Sequence, residues 1–140
     1  MSVRRTTVIA LALAAPLLSL TACSGSSNGF SQPDVSAFRA GDCRTAAPNV
    51  LTIGREARKL GTAAQPPAAV LAALTDAQAP FLTSPFSDAQ AGAALRRLTT
   101  AVGFVRLRSV GKEYDPSLAA SVTTAYDDVL RACTGSAPKS

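Results

Sequence analysis

The sequence predicts an all-α fold, a small up-down-up-down four-helix bundle. Two observations lead there. Four segments between Ala46 and Cys133 repeat apolar residues at helical spacing, and short connections marked by Gly, Pro, Ser and Asp separate them. The chain beyond residue 22 has about 118 residues, the size of one domain and not of two.

Before the first long segment, Phe30 to Ala40 holds Pro33, Asp34, Val35 and Phe38, a pattern for one short helical turn opened by Pro33-Asp34. The first helix is expected over 46–60, with Thr45 as cap and Pro48 in the first turn, where no backbone N–H is needed. Ala46, Val50, Ile53, Ala57 and Leu60 form its apolar face; Thr52, Arg55 and Lys59 point away. Gly54 lies on the edge of that face and allows close backbone approach, and Gly61 has the place of a left-handed C-terminal residue.

Pro66-Pro67 open the second helix, whose stripe is Val70, Leu74 and Ala77 with Leu71 beside it, and Pro80 stops or kinks it. The connection 81–86 is apolar for a loop, so its phenylalanines are expected to cap the end of the core. Ser87-Asp88-Ala89-Gln90 reads as a capping box with Ser87 as the cap. The third helix then runs to about Ser109, with Ala91, Ala94, Leu95, Leu98, Val102 and Val105 on one face. After a turn at Gly111 to Tyr114, Asp115-Pro116 starts the last helix as capping residue and first helical residue. Its core face is Leu118, Val122, Ala125, Val129 and Cys133, its outer face is expected to pair Asp127 with Arg131, and Gly135 closes it. Residues 136–140 read as a frayed tail.

The beginning of the chain carries a different message. Arg4 and Arg5 form a positive n-region and Val8 to Leu20 an apolar stretch of 13 residues, the length of a secretory signal and short of the roughly 20 that span a bilayer. Leu20-Thr21-Ala22-Cys23 follows, and it resembles the lipobox of bacterial lipoproteins: a branched apolar residue, two small residues, then cysteine. The resemblance implies that residues 1–22 are removed and that Cys23 becomes an N-terminus carrying diacylglycerol. It further implies a protein anchored by lipid on the extracytoplasmic face of the cell membrane. Two acyl chains, at about 0.8 kcal/mol per buried CH₂, anchor a protein stably where one does not. A plain secreted protein with a spare cysteine is the alternative. Arg4-Arg5 also leaves twin-arginine export open beside the general route, although Thr6-Thr7 stand where that motif takes a bulky apolar residue. Residues 23–32, with Ser24 to Gly29 polar and glycine-rich, read as a flexible tether to a bundle domain over 33–135. Abundant alanine, nine arginines against three lysines after Cys23, and few aromatics resemble lipoproteins of actinobacteria.

With Cys23 lipidated in an oxidising compartment, Cys43 and Cys133 remain as an even pair, too few ligands for a metal site, and a disulfide is expected. It would join the first helix to the last. Alternating helices return the chain to its starting end only when their number is even, so four helices bring these two cysteines together and three would hold them apart. Bridge and helix count support each other.

Composition then removes most chemistries. The chain contains no histidine and its only methionine is Met1, which excludes histidine-ligated haem, histidine-methionine copper sites, the Glu-x-x-His pattern of di-iron bundles, and Ser-His-Asp or Cys-His catalysis. Glu56 and Glu113 are the only glutamates, each beside basic residues, and read as solvated acids. Asp127 and Asp128 are adjacent on a helix, so their side chains diverge by about 100° and form no carboxylate dyad. Lys59 and Lys112 lie on polar stretches rather than in a pocket suited to Ser-Lys catalysis, and there is no glycine-rich phosphate loop. Neither an enzyme nor a cofactor or metal site is expected, and the mature net charge of +3 is too small to argue for nucleic acid.

Two functions survive: a tethered, non-catalytic interaction or accessory module that docks on an envelope protein, and a carrier holding a lipid or small apolar ligand between its helices. A carrier needs a cavity of about 300 Å³ or more; a module needs a packed core and a mixed apolar and basic outer patch. The third helix offers such a patch. Opposite its core stripe lie Thr100, Phe104 and Leu107, flanked by Arg96, Arg97 and Arg108. Aromatic residues and arginine are enriched in interface cores. The alternative is that Phe30 to Ala40 folds back over Phe104 and Leu107, with the arginines extended at the rim.

Overall fold

The computed structural model describes residues 31–62 and 64–135. Among them are a 3₁₀ turn, Val35–Ala37, and four α-helices: α1 (Asp42–Ala57), α2 (Ala68–Thr83), α3 (Ala89–Val110) and α4 (Ser117–Thr134). Each helix packs on its neighbour in sequence, α4 returns against α1, and α1 and α3 face each other across the diagonal with little contact. This is the four-helix bundle of the sequence reading, and it closes with a Cys43–Cys133 disulfide whose Cα atoms are 5.3 Å apart.

The predicted stripes form the core, except that Leu118 is only partly buried. Val50, Ile53, Leu60, Leu74, Leu95, Leu98, Val102, Val105, Val122 and Val129 are fully buried, with Ala46, Ala57, Ala77, Ala91 and Ala94 between them. Small side chains permit close packing at one point in particular. Gly54 on α1 faces the ring of Tyr126 on α4, and a Cβ built there would lie 2.4 Å from Tyr126 Cε2. Phe81 and Phe86 meet with ring centroids 6.4 Å apart and close the core at the disulfide end, as expected of this connection.

Several local expectations are corrected. Helix α1 begins at Asp42, not at Ala46, after Gly41 with φ +82°, so Cys43 is its second residue and does not precede it. Pro48 is the seventh helical residue and exposed; the N–H it lacks would have bonded the Arg44 carbonyl, and solvent reaches that side. Ordered helix ends at Ala57, with Leu60 still in the core and Gly61 at φ +56° in the turn beyond. Pro80 does not stop α2: it sits exposed inside the helix, and Phe81, buried in the core, anchors the last turn. Asp88, not Ser87, caps α3, accepting from the backbone N–H of Gln90 and Ala91, both at 2.9 Å. Ser87 is engaged elsewhere. Its N–H and hydroxyl both donate to Asp42, 45 residues earlier.

At α4, Asp115 accepts from Ser117 N–H at 2.7 Å and Pro116 has helical φ and ψ, as the sequence suggests, while Gly135 is left-handed at φ +69°. Arg131 pairs with Asp128 rather than with Asp127. Glu56 is not a solvated acid. Its side chain is 8% exposed and accepts from Lys59 Nζ at 2.8 Å and Arg55 Nε at 3.4 Å. The Lys59 hydrogen bond, helped by Arg55, holds its carboxyl below the ordinary value against the opposing effect of burial.

The segment before α1 does not lie over α3. Phe38 is buried against the core, and the segment is fastened to α1 and α4: Arg39 N–H donates to the Cys133 carbonyl at 2.8 Å, and Arg44 donates to the Phe38 carbonyl at 2.7 Å. Phe104 and Leu107 are consequently 50% and 66% exposed. No helix among the described residues is long and apolar enough to cross a membrane. Cys23, with the signal and most of the tether read before Ser31, lies outside the described residues, as does the tail 136–140.

Candidate functional site

The site is built from two antiparallel helices. The α3 core stripe fixes its rotation, and this places Ala93, Arg97, Ala101 and Phe104 on the flank toward α4, with Arg96 and Thr100 beside them on the outer surface. On α4 the same logic turns Ser121, Thr124 and Asp128 toward α3, because Val122, Ala125 and Val129 must face the core. The result is an open groove of about 720 Å³ whose walls are α3 and α4.

Of the six residues read from the sequence as a partner face, Arg96, Arg97, Thr100 and Phe104 line this groove. Leu107 and Arg108 do not. Leu107 continues the exposed apolar surface past Phe104, with Val110 84% exposed one turn further. Arg108 is drawn to the α3–α4 turn by Glu113, at 2.6 Å. The sequence reading missed the second wall, Ala120, Ser121, Thr124 and Asp128. Its signal was available: Ser117, Ser121, Thr124 and Asp128 repeat at helical spacing one quarter-turn away from the α4 core face.

The groove is apolar along its floor and basic at one end. Arg97 Nη1 donates to Asp128 Oδ2 at 3.3 Å across the groove, and Arg131 donates to the other oxygen of the same carboxylate. Arg96 forms no ion pair among the described residues. The Thr100 hydroxyl donates to the Arg96 carbonyl at 3.0 Å, so it is satisfied within its own helix. Beside α3 on its other flank, Gln78 of α2 is buried and bonded on both ends. It donates to the Thr99 carbonyl at 2.7 Å and accepts from Arg106 at 3.0 Å, which holds α3 in its rotation about the core.

A second, smaller groove of about 290 Å³ lies between the start of α1 and the end of α2, over Phe81 and Phe86. Its acid, Asp42, is committed to structure. One carboxylate oxygen accepts from the Ser87 hydroxyl at 2.9 Å, from Asp88 N–H at 2.8 Å and from Ser87 N–H. The Asp88 and Ser87 hydrogen bonds hold the Asp42 carboxyl below its ordinary value. No cluster of three or more His, Cys, Asp or Glu side chains able to hold a metal occurs among the described residues. No family model, curated protein or solved structure matches this chain.

Proposed function

We propose that this protein is a lipid-anchored extracytoplasmic lipoprotein that acts as a non-catalytic interaction module and engages its partner through the α3/α4 groove. One observation carries the reading: Arg96, Arg97, Thr100 and Phe104 share an open groove, with Phe104 half exposed and Arg96 in no ion pair among the described residues. Exposed aromatic and arginine side chains together are the composition of an interface core. The carrier reading is less well supported, because the residues between the helices are fully buried against one another and the larger space lies outside them. The chain lacks histidine, the most frequent general acid–base side chain. Anchoring rests on the lipobox resemblance at Leu20 to Cys23.

Two substitutions test the two halves. Cys23→Ala should move the protein from the membrane fraction to the soluble one and abolish labelling by a fatty-acid probe; unchanged labelling refutes the anchor. Phe104→Ser with Leu107→Ser should cost crosslinked partner capture from the native envelope while changing stability by less than about 1 kcal/mol, as expected of exposed positions. A large fall in the melting temperature would make the residues structural and refute the docking face.

A further inference from the structure

The α3/α4 groove has a direction. Arg97 meets Asp128 toward the end where α3 begins, and Phe104 lies near Ser121 toward the end where α3 finishes. Within the groove the charge sits at the first end. Of the four arginines of α3, Arg96 and Arg97 line the groove there, while Arg106 and Arg108, nearer the other end, are turned to Gln78 and Glu113. Asp128 is the one acid lining the groove, and Arg97 and Arg131 already share it. Arg96 also lines the groove and has no ion pair among the described residues, so positive charge is left over at the groove's basic end.

From this we infer that the occupant is an amphipathic α-helix of a partner protein, apolar along one side and carrying carboxylates at the end that meets Arg96 and Arg97. The inference rests on the docking reading of this groove and names the partner's chemistry. The dimensions suit a helix. Ala93 and Phe104 are eleven positions apart, about 16 Å or three turns at 1.5 Å per residue. Beyond the arginines the wall side chains before Phe104 are small, Thr100 and Ala101 on one side and Ser121 and Thr124 on the other, so over this stretch a third helix can approach to the roughly 8–10 Å typical of helix pairs. Its apolar side would cover Phe104, the helix-in-groove mode of recognition.

Other occupants fit less well. An acyl chain is held by enclosure, and this groove is open along its length. A second copy would bring one basic groove against another, and like charges oppose that.

The test selects helix-forming peptides of 14 residues from a displayed library, with Ala, Leu, Phe, Glu, Lys and Arg at the randomised positions, against the full lipidated chain in detergent micelles. The expected pool is enriched in glutamate at one end. A representative peptide should bind at least about tenfold more weakly to Arg96→Glu/Arg97→Glu and to Phe104→Ser. Replacing its glutamates with lysine should restore binding to the charge-reversed variant and not to the wild type. A pool without acidic bias, no pool at all, or binding indifferent to charge reversal overturns the inference. So does Phe104-dependent binding to phosphatidylglycerol vesicles that competes with the peptide, or Phe104-dependent self-association. A photo-crosslinker at position 104 in the native envelope scores the underlying reading separately. A crosslinked protein alongside a pool lacking acidic bias leaves the docking face standing and removes only the acidic helix; no crosslink removes both.

Discussion

Gly54→Ala should destabilise the bundle, although alanine is the better helix former. Alanine in a helix interior gains about 0.8–1.0 kcal/mol over glycine. Against this, the new Cβ would lie 2.4, 2.5 and 2.9 Å from Tyr126 Cε2, Cζ and Cδ2, where carbon atoms prefer roughly 3.5–4.0 Å. The obstacle is a ring only 2% exposed, not the end of a flexible chain, so the helices must part or the ring must leave its well. Overpacking of this kind costs about 1–3 kcal/mol, and the severity of three ring contacts places it at the upper end. The net expectation is a loss of about 1–2 kcal/mol, with a melting temperature lowered by roughly 4–8 °C per kcal/mol for a domain near this size. Gly103→Ala is the matched control. Its Cβ would meet Gln78 Nε2 at 3.5 Å, an ordinary contact, so the helix gain should survive and raise stability by about 0.5–1 kcal/mol. Urea denaturation of both variants, and of Gly54→Ala in a Tyr126→Leu background, separates ring clash from backbone effects. In that background the cost should shrink toward zero or reverse. A Gly54→Ala variant as stable as the parent, or a cost that persists without the ring, would refute the close approach of α1 and α4.

Two further outcomes follow from the disulfide end. Removing the bridge with Cys43→Ala/Cys133→Ala frees a loop of 90 residues and should lower stability by about 4–5 kcal/mol in the chain-entropy view, measured by denaturation with and without reductant; two free thiols in the folded wild-type protein would contradict the topology. Asp42 and Asp88 are both held below the ordinary carboxylate value by hydrogen bonds that favour the charged form. Their contribution is therefore complete above an unfolded-state value of about 3.9 and is lost as pH falls through the lower folded values. Asp42→Ala should lower the melting temperature at pH 7 and flatten its decline between about pH 4 and pH 2; parallel acid limbs in the two proteins would show that the Asp42 contacts do not couple to folding.

The core was legible because helical periodicity is a property of single segments. Val50, Ile53, Leu98, Val102, Val122 and Val129 declare their faces locally, and all are buried. What escaped was decided by partners distant in sequence. Ser87 and Asp88 are adjacent and equally able to cap α3; the choice falls to Asp88 because Asp42, on another helix, occupies Ser87. Arg131 pairs with Asp128 and not with Asp127, at the carboxylate that Arg97 of the adjacent helix also meets. The two prolines misled for a common reason. Pro48 is expected in the first turn of its helix and Pro80 to stop or kink the second, yet both lie on solvent-facing sides inside continuous helices, where neighbours such as Ala47 and Phe81 are buried. One wall of the groove was readable from α3 alone; the other required knowing which helix lies beside it.

The same distant contacts give the molecule its mechanical logic. Phe38 is buried, Arg44 holds the Phe38 carbonyl, and Arg39 N–H holds the Cys133 carbonyl, so the segment leading into α1 is fixed to the residue that forms the bridge. Arg39 also reaches Asp88, the cap of α3, at 3.2 Å, and Asp42 at the start of α1 binds the backbone just before that cap. The lead-in segment, both cysteines and the first turn of α3 therefore form one connected end of the bundle. The opposite end, where α3 finishes at Val110 and the α3–α4 turn begins, has no covalent link and exposes Leu107 and Val110. The residues that lead into α1 are thus tied to the cross-linked, fixed end of the fold. The groove spans from that fixed end, with its arginines, toward the freer end, with Phe104. A partner helix laid along it would brace the less constrained half of α3 and α4 against the half that the disulfide already holds.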